Sequence, residues 1–148
     1  MTIASLLSRP VATLSGKATC AEAARRMRRQ NIGSIVVEED GVPVGIVTDR
    51  DLAVRLVAEE LDAGSVTLAQ VMSAFPAFLT PQRDLRAAVD VMLEMGVRRL
   101  PAVNSKGRVI GILSLDDVLI ELCDEFGQIR KLLQLEREQT DPDDQLAR

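Results

Sequence analysis

Twice in this chain a hydroxyl residue stands three positions before an aspartate, where an apolar run ends: Gly45-Ile-Val-Thr48-Asp-Arg-Asp51-Leu52 and Gly111-Ile-Leu-Ser114-Leu-Asp-Asp117-Val118. Two kinds of chemistry suit that spacing. One is structural. Thr48 or Ser114 caps a helix, and Asp51 or Asp117 returns a hydrogen bond to the cap N–H. The other is ligand binding. A helix start offers free N–H groups and the positive end of the helix dipole, which suits an anion. An aspartate beside it can accept hydrogen bonds from both hydroxyls of a ribose. The two are compatible, because the hydroxyl can cap while the carboxylate faces a ligand. Finding the pair twice, in register, favours a site.

Composition removes most alternatives. The chain has no histidine. That excludes Ser-His and Cys-His nucleophilic catalysis, histidine acid–base work and most zinc and iron sites, so no enzyme is expected. With no Trp or Tyr and three Phe, a bound base must lie between aliphatic walls and be read by backbone groups. The net charge of −4 argues against direct nucleic-acid binding. No run of 18 apolar residues occurs, so no membrane span is expected. Met1 to Pro10 lacks the pattern of a signal peptide, and a cytoplasmic location is the expectation. Cys20 and Cys123 read as isolated apolar core residues, not as a disulfide or a metal site. Asp49, Asp51, Asp116 and Asp117 do not read as a dedicated cation site, which needs several converging oxygens. Gly16-Lys17-Ala18-Thr19 has the ending of a phosphate-binding loop, but Val11 stands where its leading glycine belongs.

The elements that position the two junctions are themselves duplicated. Ala23, Ala24, Met27 and Ile32 match Ala88, Val89, Met92 and Val97 at an offset of 65. Beyond the next turn the offset is 66, with Gly41, Gly45 and Asp51 matching Gly107, Gly111 and Asp117. One residue gained in a hairpin loop explains the change. Each copy reads β-α-β-β-α. A short extended segment (Val11 to Leu14; Pro76 to Leu79) precedes a helix over about Cys20 to Gln30 and about Asp84 to Met95. Two strands follow, Ser34 to Glu38 with Val42 to Thr48, and Leu100 to Val103 with Arg108 to Ser114. A second helix closes each copy, from about Asp49 to Glu60, and from Leu115 to about Gln139. The reading gives an α+β fold of two such repeats packed sheet to sheet with pseudo-two-fold symmetry. Residues 1–62 form the first repeat, 63–73 the connection, 74–138 the second repeat with a C-terminal helix, and 139–148 a polar, disordered tail.

Two β-α-β-β-α repeats, each ending in Gly-h-h-[Thr/Ser]-x-x-Asp, resemble a pair of cystathionine-β-synthase (CBS) domains over about Ala4 to Phe126. Val97-Arg98-Arg99-Leu100-Pro101 also fits that family's approach to its second strand. The resemblance implies a regulatory module with no required cofactor, whose ligand is AMP, ADP, ATP or a related adenosine compound bound between the repeats. It implies Thr48 and Asp51 at one site and Ser114 and Asp117 at the other, each aspartate on a ribose. Arg98 and Arg99 would reach phosphates, whereas the first repeat has Gly33 and Ser34 there, so the sites should be unequal.

The family also implies a homodimer, and the apolar stripe Leu119, Leu122, Cys123, Phe126, Ile129, Leu132 and Leu133 extends beyond what one repeat needs. Either the end of the helix folds back at Gly127 or it runs on to a second subunit. The four arginines at 25, 26, 28 and 29 read as a solvated helix face, the alternative being a patch for phosphate or for an acidic partner. The expected function is a sensor that signals to a separate, unidentified effector protein. The competing reading is a ligand-free dimerisation scaffold in which both junctions are caps alone.

Overall fold

The computed structural model describes residues 2–75 and 77–139. The expected disordered tail, apart from Gln139, lies outside them. A four-stranded sheet runs β1 (Thr13–Ser15), β2 (Ser34–Glu39), β3 (Val42–Thr48) and β4 (Ser73–Ala74), with β1 parallel to β2 and the rest antiparallel. A second sheet pairs β5 (Arg99–Val103) with β6 (Val109–Ser114). The helices are α1 (Cys20–Gln30), α2 (Asp49–Leu52), α3 (Leu68–Val71), α4 (Leu85–Met95) and α5 (Leu115–Gln139).

Local chemistry explains these boundaries. Thr19 caps α1, accepting from the Glu22 N–H at 3.2 Å, while the Thr19 N–H donates to Glu22 at 2.7 Å. Asn31 ends α1 in the left-handed conformation. The same design recurs at α4, where Asp84 accepts from the Ala87 N–H and Gly96 closes the helix at φ 64°. Asp40 and Gly41, both at positive φ, form the tight turn that matches the twist of β2 and β3. The helix expected from Asp49 to Glu60 is α-helical only to Leu52. It then widens into a π turn over Ala53–Val57 and stops at Glu60, whose φ is 55°. That reversal returns the chain to α1, whose first N–H groups at Cys20 and Ala21 donate to the carbonyls of Val66 and Ala63.

The segment before each repeat pairs with the other repeat's sheet. Ser8 forms an antiparallel bridge with Ile112 of β6, and Ser73 pairs with Ile46 of β3. Ile3 donates its N–H to the Arg83 carbonyl, and Leu68 does the same to Ala18. Ile3 and Leu7 consequently belong to the core built by Leu79, Ala88, Met92, Leu100 and Leu113. Leu68 and Val71 belong to the core of Cys20, Met27, Ile35, Val37 and Val47. Two glycines make the crossings possible. A Cβ at Gly111 would lie 2.8 Å from Leu7 Cβ, and one at Gly45 would lie 2.8 Å from the Ser73 carbonyl oxygen. Cys20 is buried in the first core, and burial raises its thiol pKa. Cys123 departs from expectation and is exposed, because α5 has left the body of the protein by that point.

Two outcomes follow for stability. Gly45→Ala and Gly111→Ala should each cost about 1–3 kcal/mol by overpacking. Ile3→Ala, although near the N-terminus, should cost about 2–5 kcal/mol. Denaturant unfolding checks both, and an Ile3→Ala loss below about 1 kcal/mol would show that the leading segment is not part of the second core. Hydrogen bonds from the Thr19 N–H and hydroxyl hold the Glu22 carboxyl below the usual carboxylate range. Its contribution to stability is therefore complete above about pH 4.3, the unfolded value, and is lost as pH falls through the depressed folded value. Glu22→Gln should flatten that part of the acid limb.

Candidate functional site

Both hydroxyl–aspartate pairs form closed capping boxes. At the start of α2 the Asp51 N–H donates to Thr48 Oγ1 at 3.1 Å and the Thr48 N–H donates to Asp51 Oδ2 at 2.9 Å. At the start of α5 the corresponding distances are 3.1 Å, from the Asp117 N–H to Ser114 Oγ, and 3.2 Å, from the Ser114 N–H to Asp117 Oδ2. The Ser114 hydroxyl also donates to Asp117 Oδ2. The structural reading of the motif therefore holds at both junctions, and each box aims its aspartate into a cleft.

The clefts are unequal. The larger, about 650 Å³, is lined by Ser8, Val11, Ala12, Arg26, Gln30, Ile32, Gly33, Ser34, Val36, Arg99, Ile112, Ser114 and Asp117, among others. It has the size of a small-molecule site and largely aliphatic walls. The smaller, about 200 Å³, is lined by Ile46, Thr48, Asp51, Ser73, Ala74, Phe75, Val97, Arg98 and Arg99. Each cleft takes its capping box from one repeat and the approach to the second strand from the other. Gly33 and Ser34 of the first repeat thus face Asp117, and Val97 and Arg98 of the second face Asp51. Arg99 reaches both.

The carboxylates differ as much as the volumes. Asp51 Oδ1 lies 3.5 Å from Arg55 Nη2, and Arg55 is anchored by a 2.7 Å hydrogen bond to the Val71 carbonyl. Position 121, the counterpart of Arg55, is Glu, so Asp117 has no such cation. Asp117 instead gathers its bonds on Oδ2, including one from the Ser8 hydroxyl at 3.3 Å. Its Oδ1 has no hydrogen-bond partner among the described residues. Arg98 and Arg99 are placed at the clefts as the sequence suggests, but both turn to Asp116, at 3.2 and 3.9 Å. These pairs are exposed and hold the arginines weakly.

Arg26 and Ser8 are among the lining residues that the site expected from the sequence did not include. Arg26, read as part of a solvated face, is half-buried and donates from Nη1 to the Thr13 carbonyl at 2.6 Å. Ser8 enters only because the leading segment crosses to β6. A signal for it exists, since Thr2-Ile3-Ala4 and Thr67-Leu68-Ala69 share the 65-residue offset. Among the described residues no group of three or more Cys, Asp or Glu is placed to hold a metal ion. None of the helices among the described residues is long and apolar enough to cross a membrane.

Comparison with known proteins agrees with this geometry. A family model described as CBS domain matches residues 3–58 and 68–124. The CBS domain-containing protein YhcV of Bacillus subtilis is 38% identical over 110 residues, which are 74% of this chain and 77% of that one. The uncharacterized protein MK0525 of Methanopyrus kandleri is 34% identical over 120 residues, 80% of this chain but only 61% of that longer protein. The structure of CBS domain protein PAE2072 from Pyrobaculum aerophilum, complexed with AMP, superposes with a TM-score of 0.71 at 26% identity, covering 84% of this chain and 99% of that one. The two matched segments are the two repeats described above, and the chain therefore belongs to the CBS domain family, with two such domains in tandem.

Proposed function

We propose that the chain is a non-catalytic regulatory module that binds an adenosine-containing ligand between its two repeats and passes the signal to a separate partner protein. The observation that carries this reading is Asp117 Oδ1, an uncommitted carboxylate oxygen at a 650 Å³ cleft to which both repeats contribute. Asp117 would take the ribose hydroxyls. Val11, Ile32, Val36 and Ile112 would sandwich the base, which no Trp or Tyr is present to stack. Ser114 would lie by the ribose or phosphate, and Arg99 would meet the phosphate on release from Asp116. The AMP complex of PAE2072, at 26% identity, supports this ligand class. Thr48, Asp51 and Arg98 would form a weaker second site, since Arg55 already lies 3.5 Å from Asp51 and the cleft is small. A ligand bridging both repeats favours one arrangement of them by its affinity difference for the two. A cytoplasmic setting suits such a ligand.

The same reading includes a homodimer. After Leu122, which packs on the second core, the apolar stripe of α5 runs on with Phe126, Ile129 and Leu133 at least half exposed. Gly127 does not break the helix. A second copy fits this stripe. In a parallel pair of helices the five-residue spacing of Glu125 and Arg130 sets opposite charges across the seam twice.

The ligand test is a shift in unfolding temperature against AMP, ADP, ATP, NAD and S-adenosylmethionine, read by dye or calorimetry. A ligand at 100 times its Kd adds about 2.7 kcal/mol, which is several degrees here. The shift should vanish in Asp117→Ala and survive in Asp51→Ala. No shift with any compound, in nucleotide-free protein, would leave the scaffold reading and reduce both junctions to caps. For the dimer, sedimentation at tens of micromolar should give about twice the 16.1 kDa chain mass, and Ile129→Asp should halve it while the chain stays folded by circular dichroism and loses the concentration dependence of its unfolding temperature. A wild-type chain sedimenting only as the monomer would remove the dimer.

A further inference from the structure

The polar face of α1 carries arginines at 25, 26, 28 and 29. Such a run is ordinarily no more than a solvated surface. Here a recess of about 380 Å³ lies against it, lined by Leu14, Glu22, Arg25, Arg26, Arg29 and Gln30. Arg26 and Gln30 also line the larger cleft that holds Asp117, so the two spaces meet across these two side chains. Arg28, on the same helix, lines neither.

The junction residue is held in place. Arg26 donates from Nη1 to the Thr13 carbonyl at 2.6 Å and from Nε to Gln30 at 3.4 Å. Arg25 and Arg29 stand one helical turn apart. Among the described residues no carboxylate lies within ion-pair distance of Arg25, Arg26 or Arg29. The acid in the recess is Glu22, and its carboxylate is committed to the Thr19 N–H and hydroxyl at 2.7 and 3.1 Å. Three guanidinium groups and the single carboxylate of Glu22, which feels the charge of Arg25, thus line a recess that is net positive and adjoins the aliphatic cleft. Guanidinium groups in that arrangement match the oxygens of linked phosphates, which they can grip two at a time.

Resting on the adenosine reading of the larger cleft, we propose that its ligand carries more than one phosphate, and that the chain of phosphates leaves the cleft past Arg26 and lies over Arg25 and Arg29. The nucleoside occupies the aliphatic end beside Asp117. The first phosphate meets Arg26, and the outer phosphates fill the basic recess. The ligand class is an adenosine di- or triphosphate, with the monophosphate as a weaker competitor that leaves the recess empty.

The test is calorimetric titration of the full chain with AMP, ADP and ATP, free of magnesium, in wild type and in the Arg25→Gln, Arg29→Gln double variant. Both arginines are exposed, and glutamine keeps the helix propensity, so the fold should be unaffected. Wild type should bind ATP at least about 10-fold more tightly than AMP, with a steeper loss of ATP affinity as salt rises. The double variant should keep AMP affinity within about 2-fold and lose most of the ATP advantage. Equal affinity for AMP and ATP in wild type, or a variant that weakens both in the same proportion, would overturn the phosphate-chain proposal while leaving the adenosine site standing. Absence of binding by all three nucleotides would overturn both.

Discussion

The structure depends on a close contact between two pieces of backbone, made twice. Leu7-Ser8 lies against β6 at Gly111, and Met72-Ser73 lies against β3 at Gly45. At each place the approach leaves no room for a Cβ. Because each leading segment completes the sheet and the core of the other repeat, neither repeat is finished alone. A unit of about 60 residues buries too little surface to be more than marginal, and the crossing makes one stable body from two such units. The same crossing delivers Ser8 to Asp117 and Ser73 to the Asp51 cleft. The clefts therefore exist only because the repeats are interlocked, and a ligand in either one touches both.

Pseudo-symmetry sets out two sites, and side-chain differences make them unequal. Arg55, 3.5 Å from Asp51, corresponds to Glu121 in the second repeat, so one carboxylate has a nearby cation that the other lacks. Arg26 in the first repeat corresponds to Val91 in the second, so the larger cleft is lined by a cation from the middle of α1 that α4 does not offer the smaller one. Gly33 and Ser34 correspond to Arg98 and Arg99, which gives the larger cleft the smaller side chains and its greater volume. The same capping geometry thus stands at two clefts that differ in volume and in charge.

Much of this was legible in the residues. The fold followed from apolar periodicity, paired turn signals and the 65- and 66-residue offsets, since all three report local structure. The capping boxes were legible for the same reason: Thr48 and Asp51, or Ser114 and Asp117, interact over three residues. The partners of Asp117 were not, because Ser8 is 109 residues away and arrives by a crossing that no local period encodes. Arg26 was read as solvated together with its neighbouring arginines, but it lies only about 100° around α1 from Met27, on the flank, where it reaches the Thr13 carbonyl. The π turn over Ala53–Val57 also escaped the reading, because nothing in the pattern of those residues marks the change from α-helical to wider hydrogen bonding.

The central claim is that Asp117 and the inter-repeat cleft around it hold the nucleoside. A crystal structure of the chain grown with saturating AMP tests this most directly. Density is expected in the larger cleft, with both ribose hydroxyls on Asp117, the base between Ile32, Val36 and Ile112, and the phosphate toward Arg26 and Arg99. Both clefts empty at saturating AMP, or AMP bound only beside Asp51, would contradict it.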